Sequence, residues 1–162
     1  MIGGTGPSAD LDALFDAWER AWSGRDEGAF APLCAEGFHY EDPLTPEPLE
    51  GVAALLGHVR QLWRAFPDAR VQPTGDRLTN GVHAAAPAKL LATHRAPLGN
   101  LAATNRFIVV HGVFYAQLED ERLLRVRAFF DAFDAGRQLG VLPRSGTAGE
   151  RALLMLRGFG LR

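Results

Sequence analysis

Asp131 is the first residue whose type and position suggest chemistry. It follows the apolar run Ala128-Phe129-Phe130, so it would stand at the end of a strand beside a space of low dielectric constant. Burial at such a place raises the pKa of a carboxyl group and makes it a usable general acid or base near neutral pH. A helix is predicted directly after Asp131, so its side chain can equally serve as the N-cap of that helix. The two roles are compatible, and the sequence leaves both open.

His94 is the second candidate, in the extended segment Ala92-Thr93-His94. An imidazole in a pocket can donate a hydrogen bond to an oxygen that gains negative charge, or titrate beside a carboxyl group such as Asp131. The alternative is a strand histidine that is hydrogen-bonded to backbone or solvent. The sequence therefore predicts Asp131 and His94 as a catalytic pair, with structural roles as the alternative.

Tyr40 and Asp42 share one face of a short predicted strand, Phe38 to Asp42, because successive side chains of a strand alternate. Both can bind polar atoms of a ligand. Asp42 can instead cap the turn at Pro43, which is the interpretation we favour for it. For Tyr40 we favour a place in the wall of a pocket.

Arg125 and Arg127 share a strand face with Phe129 and, formally, with Asp131. A guanidinium group near Asp131 would lower the pKa of that carboxyl group and weaken it as a base. We interpret the two arginines as a pair that faces solvent or a dimer partner.

The other reactive side chains form no recognisable cofactor or metal site. Cys34 lies in an apolar pattern without an adjacent base, which is typical of a buried structural thiol. The sequence contains no phosphate-binding loop, dinucleotide fingerprint or nucleophile elbow. The remaining histidines show no metal-ligand spacing with a carboxylate: His39, His58, His83 and His111. We therefore expect no cofactor and no metal.

The composition is that of a globular chain long enough for one sizeable core. The 162 residues are 47% hydrophobic, and 17 basic against 19 acidic residues give a formal net charge of -2. A near-neutral chain without a basic block is a poor candidate for nucleic-acid binding. The single cysteine excludes an intrachain disulfide framework. We see neither a signal peptide at the start nor an apolar stretch long enough to span a membrane, so we expect a cytoplasmic protein.

The apolar periodicity predicts three helices in the first part of the chain. The first carries one apolar face made of Leu11, Leu14, Phe15, Trp18 and Trp22. A shorter helix with Phe30 is expected between Asp26 and Gly37. The third is the clearest, with an apolar stripe that runs from Val52 to Phe66 and stops at Pro67.

Beyond Pro67 the period becomes extended. Asn80-Gly81 indicates a hairpin, and long strands are predicted over Val82–Arg95, Asn105–Leu118 and Arg122–Phe130. A short helix is expected over Asp131–Leu139, and another over Glu150–Leu161. Helices first and an antiparallel meander afterwards predict an α+β domain.

Four segments, in this order, resemble the SnoaL-like polyketide cyclase family of the nuclear-transport-factor-2-like superfamily. They are Tyr40-Glu41-Asp42-Pro43 with the following proline loop to Gly51, then Ala65-Phe66-Pro67-Asp68, then Ala92-Thr93-His94, and finally Phe129-Phe130-Asp131 with Arg137-Gln138-Leu139-Gly140. The resemblance covers residues 11–143. We interpret residues 1–10 as a flexible N-terminal segment and residues 144–162 as a C-terminal extension.

The resemblance implies a cone-shaped barrel in which a curved, mostly antiparallel sheet and three N-terminal helices enclose a pocket for a small apolar or aromatic ligand. It implies acid/base chemistry next to a carbonyl group (cyclisation, isomerisation or hydration), with Asp131 as the acid/base, His94 in the pocket, and a homodimer across the outer sheet face. The alternative is a ligand-binding or dimerisation module of the same fold without catalysis. The expected pocket is lined by Trp18, Tyr40, Asp42, Trp63 and Phe129, together with His94 and Asp131.

Overall fold

Three α-helices flank a long, curved sheet. The computed structural model describes residues 9–143, 146–149, 151, 152 and 155. The helices are α1 (Ala9–Gly24), α2 (Gly51–Ala65) and α3 (Ala132–Leu139). The strands are β1 (Cys34–Glu41), β2 (Leu49–Glu50), β3 (Arg70–Pro73), β4 (Leu78–Thr79), β5 (His83–Thr93), β6 (Phe107–Glu119) and β7 (Arg122–Phe130). The predicted α+β class is confirmed.

The second of the predicted N-terminal helices is a pair of short 3-10 turns, Glu27–Ala29 and Ala31–Leu33. Asp26 caps the first turn by accepting a hydrogen bond from the Gly28 amide at 3.1 Å. Pro32 is the middle residue of the second turn and has no N–H to continue an α-helical ladder. The chain then enters β1 directly at Cys34, which leaves no room for a regular helix.

The seven strands form one sheet in the order β2-β1-β7-β6-β5-β3, with β4 paired to β5. All pairings are antiparallel except that of β1 with β7. The register shifts between Cys34 and His39 of β1 and between Gln117 and Leu118 of β6, and such irregularities increase the local twist of a sheet. The sheet is curved but does not close, and its inner face is covered by the helices.

The core consists of two groups of buried side chains. The larger lies between α1, α2 and the inner sheet face, and Trp18 and Phe15 of α1 are fully buried in it. The smaller lies near the end of α2, where Phe66 packs with Ile108, Val110 and Leu139. The apolar stripes that predict α1 and α2 from the sequence are therefore the faces that these helices bury.

A buried arginine ties the segment before β4 to α1. Arg77 is 7% exposed and donates to the carboxylates of Asp16 at 2.7 Å, Glu19 at 3.1 Å and Asp12 at 3.2 Å. Burial raises the pKa of the Glu19 carboxyl group, and the charge and hydrogen bond of Arg77 oppose this only in part. Among the described residues, Arg77 is the only cation within hydrogen-bond reach of these three carboxylates. Their negative charge is therefore compensated by this one side chain.

The C-terminal part of the described chain follows the predicted pattern. Helix α3 begins after Asp131 and ends at Gly140, which adopts the left-handed conformation with φ +79°. The helix predicted over Glu150–Leu161 lies largely outside the described residues. Within the part of the chain that the structure describes, no helix has the length and apolar character needed to cross a bilayer.

Candidate functional site

A tyrosine, an aspartate and a histidine from two elements meet where β1 ends. His58 Nε2 lies 2.7 Å from Asp42 Oδ2, and the Tyr40 hydroxyl group donates to the same oxygen at 3.0 Å. Tyr40 belongs to β1, Asp42 follows that strand directly, and His58 lies on α2. The side chains of Asp42 and His58 are only 7% and 11% exposed. We call Tyr40, Asp42 and His58 the polar triad.

The loop after β1 holds the carboxylate of Asp42 in place. Asp42 Oδ1 accepts a hydrogen bond from the Leu44 amide at 2.8 Å, and the Thr45 hydroxyl group accepts from the Asp42 amide at 3.0 Å. Asp42 thus has the turn-capping role that its sequence position suggests, through one oxygen. The other oxygen remains available for His58 and Tyr40.

The triad keeps Asp42 ionised and Tyr40 protonated. Burial by itself would raise the pKa of Asp42, but the hydrogen bond and charge of His58, the Leu44 amide and the Tyr40 hydroxyl group lower it below its ordinary value. Burial first, and then the Asp42 charge and hydrogen bond, raise the pKa of Tyr40 well above its ordinary value. Because the folded pKa of Asp42 is depressed, its contribution to stability is complete above about pH 4 and is lost as the pH falls below that range.

The two ring nitrogens of His58 have different surroundings. Nε2 faces the Asp42 carboxylate and therefore carries the proton when the ring is neutral. Nδ1 has no hydrogen-bond partner among the described residues, and this atom is not fully buried. A carboxylate that holds one nitrogen leaves the lone pair of the other directed outward, which is the arrangement of an oriented general base.

The sequence predictions for the site did not include His58. Its lack of metal-ligand spacing gives no reason to single it out, but its place on the helix carries a signal. It falls three residues after Leu55 and four before Leu62, which puts it within the apolar stripe of α2. A polar residue inside an apolar stripe needs a buried partner, and that partner is Asp42.

The triad borders a cluster of aromatic rings inside the cone. The ring of Trp18 lies 5.4–6.2 Å, centroid to centroid, from those of five others. We call these six residues the aromatic cluster: Trp18, Trp22, Phe30, Phe38, Tyr40 and Phe114. Trp63 lies beside it, 6.4 Å from Phe30, and its indole donates to the Trp22 carbonyl at 2.9 Å. Trp18, Tyr40, Asp42 and Trp63, all predicted to line the pocket, therefore lie in one region.

Asp131 and Phe129 lie apart from that region. Strand alternation turns Phe129 to the outer sheet face, where it is 54% exposed and stands 5.8 Å from the Arg127 guanidinium. Asp131 is exposed, and its Oδ1 accepts from the Asp134 amide at 2.8 Å as the N-cap of α3. Asp131 therefore does not lie in the apolar surroundings that the sequence predicts for it, because the chain turns into α3 at this point.

His94 is fully buried, but in the smaller core group. Its Nδ1 accepts from the Thr104 amide at 3.2 Å, and its ring packs against Phe66 at 5.1 Å. Its Nε2 has no hydrogen-bond partner among the described residues. The structure thus places His94 with neither Asp131 nor the polar triad.

A cavity of about 540 Å³ lies on the outer sheet face, on the other side of the sheet from the aromatic cluster. Most of its lining residues are of polar or charged types, and they include His39, Arg125 and Arg127. Arg127 forms an ion pair with Glu41. The two arginines thus face outward, as interpreted from the sequence.

The described residues offer no metal centre and no reactive thiol at this site. None of their groups of histidine, cysteine and acidic side chains could hold a metal ion. Burial raises the pKa of the Cys34 thiol to about 12, so this side chain is a poor nucleophile.

The comparison with protein families decides what kind of chain this is. The model of the SnoaL-like polyketide cyclase family matches residues 12–139, which include every strand and α3. The chain belongs to this family. The resemblance inferred from four short segments is therefore confirmed. The polar triad described above is thus a feature of a SnoaL-like protein. No curated protein matches the sequence.

Solved structures share the fold at low sequence identity. TsrD from Streptomyces laurentii is 18% identical, with a TM-score of 0.73 over 84% of this chain and 98% of that one. A SnoaL-like polyketide cyclase from Jannaschia is 16% identical, with a TM-score of 0.72 over 83% and 93%. A protein with a ketosteroid isomerase-like fold from Catenulispora acidiphila, solved with trimethylamine, is 18% identical, with a TM-score of 0.68 over 84% and 95%. At these identities the likeness shows the SnoaL-like fold.

Proposed function

We propose that this SnoaL-like chain binds a small apolar or aromatic carbonyl compound at the aromatic cluster and moves a proton next to its carbonyl group. The observation that carries the proposal is the contact of a buried carboxylate with His58 at the border of that cluster. The aromatic rings supply apolar surface for the ligand, and the polar triad supplies an oriented base. Membership of the family supports a ligand-binding or cyclase role.

The proposed step needs no oxidant, metal or cofactor. The lone pair of His58 Nδ1 takes a proton from the carbon next to the carbonyl group. The electrons of the broken C–H bond form a C=C bond, and the carbonyl π electrons move to the oxygen. Asp42 stabilises the imidazolium that results, since its carboxylate faces Nε2. When the ligand has a C=C bond next to the α-carbon, the enolate is conjugated and regains the proton at the far end of that bond, which gives an isomer. Otherwise the α-carbon attacks a second carbonyl group of the ligand, whose oxygen takes the proton, and a ring closes.

Exchange of hydrogen for deuterium tests this proposal without knowledge of the natural substrate. We expect the protein to accelerate loss of the α-proton signals of a bound aromatic ketone such as 1-tetralone in D₂O, followed by NMR. The same ketone at equal pH without protein is the control. Ketones that bind, as judged by thermal shift, but exchange at the control rate would contradict the catalytic role.

The second candidate function is a ligand-binding module without catalysis. The N-cap role of Asp131 favours it, because the carboxylate that the sequence puts forward as the acid/base accepts a hydrogen bond from the Asp134 amide at the start of α3. Binding without exchange in the experiment above is its expected signature.

We also propose that two copies pair across the outer sheet face, as the family resemblance implies. Tyr115 and Phe129 expose 44% and 54% of their surface there, beside Val113. Apolar surface of this kind favours association. Light scattering should give twice the mass of the chain, and Tyr115→Arg should shift the distribution to monomer. A monomer at high protein concentration would exclude this assembly.

We propose a cytoplasmic location. The chain's single cysteine is compatible with a reducing compartment.

A further inference from the structure

Two buried indole groups beside the triad have hydrogen-bond donors without acceptors. Trp18 is fully buried and Trp22 is 8% exposed, yet neither Nε1 has a hydrogen-bond partner among the described residues. Buried tryptophans usually find a partner for this N–H group, because an unpaired buried donor loses its hydrogen bonds to water and gains none in return. Trp63, the remaining tryptophan of the chain, follows this rule through the Trp22 carbonyl.

The two donors belong to the same part of the site. Trp18 and Trp22 are four residues apart on α1, so they lie on one face of the helix, and their rings meet edge to face at 6.0 Å. Their centroids lie 6.2 Å and 5.9 Å from that of Tyr40, whose hydroxyl group belongs to the polar triad. The two indole rings therefore lie beside the tyrosine of the polar triad.

We propose that the indole N–H groups of Trp18 and Trp22 bind the carbonyl oxygen of the ligand and select ketones over hydrocarbons of the same shape. This inference rests on the proposed function, because it assigns the oxygen-binding groups of the same site. An oxygen that becomes negative as the proton leaves needs hydrogen-bond donors in a place without water. The aromatic cluster supplies such a place, and the two free donors are its polar groups on α1.

A matched pair of ligands isolates the contribution of the N–H groups. 1-Tetralone and tetralin share a bicyclic carbon skeleton and differ in the carbonyl oxygen. The ratio of their dissociation constants is measured for the wild type, Trp18→Phe and Trp22→Phe. Each substitution removes a donor and also shrinks the ring, but the loss of ring surface affects both ligands. We expect each to weaken 1-tetralone relative to tetralin by roughly three- to tenfold.

Trp63→Phe is the matched control, because its N–H group is already bonded to the Trp22 carbonyl. It should leave the ratio of the two dissociation constants at the wild-type value. An unchanged ratio in both Trp18→Phe and Trp22→Phe would overturn the inference while leaving the proposed pocket intact. Binding of neither ligand by the wild type would overturn the proposed function and this inference with it.

A measurement on the wild-type protein tests the same inference without requiring any variant to fold. The chain has three tryptophans, so ¹⁵N labelling gives three indole N–H signals. We expect the signals of Trp18 and Trp22 to move with 1-tetralone and not with tetralin, while that of Trp63 stays in place. Equal responses to the two ligands, or a response of Trp63 alone, would contradict the assignment of the donors.

Discussion

His58→Gln should slow the exchange of α-protons of a bound ketone by at least about 100-fold, because the side chain loses the basic nitrogen that takes the proton. Glutamine is close to histidine in size and can still donate to Asp42, so the contact that closes β1 against α2 is retained. Ligand affinity should therefore change little. The loss should appear in the rate at saturating ketone rather than in the concentration for half saturation.

The matched control for this substitution is His111→Gln on the outer sheet face. His111 is exposed on β6 and lies away from the aromatic cluster, so its replacement should leave both exchange and binding at wild-type values. Full exchange activity in His58→Gln would show that this histidine is not the base. In that case the same assay on Asp131→Asn would test the acid/base role that the sequence offers for Asp131 beside its N-cap role.

Arg77→Met should lower the free energy of unfolding by about 3 kcal/mol or more at neutral pH, as the removal of one partner from a buried ion pair usually does. Methionine keeps part of the apolar stem but leaves Glu19 buried without its cation. Denaturant unfolding followed by circular dichroism measures the difference. An unfolding free energy equal to that of the wild type would mean that the cluster contributes no net stability.

Arg60→Met is the matched control. Arg60 makes two hydrogen bonds to Glu27, at 2.7 and 2.5 Å, but the side chains of Arg60 and Glu27 are 53% and 41% exposed. Water and salt screen such a pair, so its loss should change stability far less than the loss of Arg77.

The effect of Arg77→Met should also depend on pH in a defined direction. The pKa of Glu19 is already raised in the folded protein by burial, and removal of the cation raises it further. The folded variant then binds more protons than the unfolded chain, so its stability rises as the pH falls toward the range in which Glu19 is protonated. The destabilisation should be smaller at pH 5 than at pH 7. A constant difference over that range would show that Glu19 is not the group left uncompensated.

Local pattern in the sequence determined most of the elements. Each of these elements buries one face, and this requirement produces a periodic pattern among residues that are close in sequence. The pattern is the apolar stripe in α1 and α2 and the alternation in β5, β6 and β7. The cap at Asp131 and the stop at Gly140 are equally local. Four short segments were enough to identify the family from the sequence. The middle helix failed as a prediction because Pro32 and the early start of β1 allow only 3-10 turns there.

The composition of the site was decided by the tertiary structure. Asp42 and His58 are sixteen residues apart on different elements, and they meet only because α2 crosses the end of β1. Asp131 and Phe129 carry the right residue types, but one turns toward the amide groups of α3 and the other projects from the outer sheet face. A side chain's type and spacing show what chemistry it can perform. Its partners and its exposure to water depend on how distant elements pack, and no local pattern in the chain encodes that.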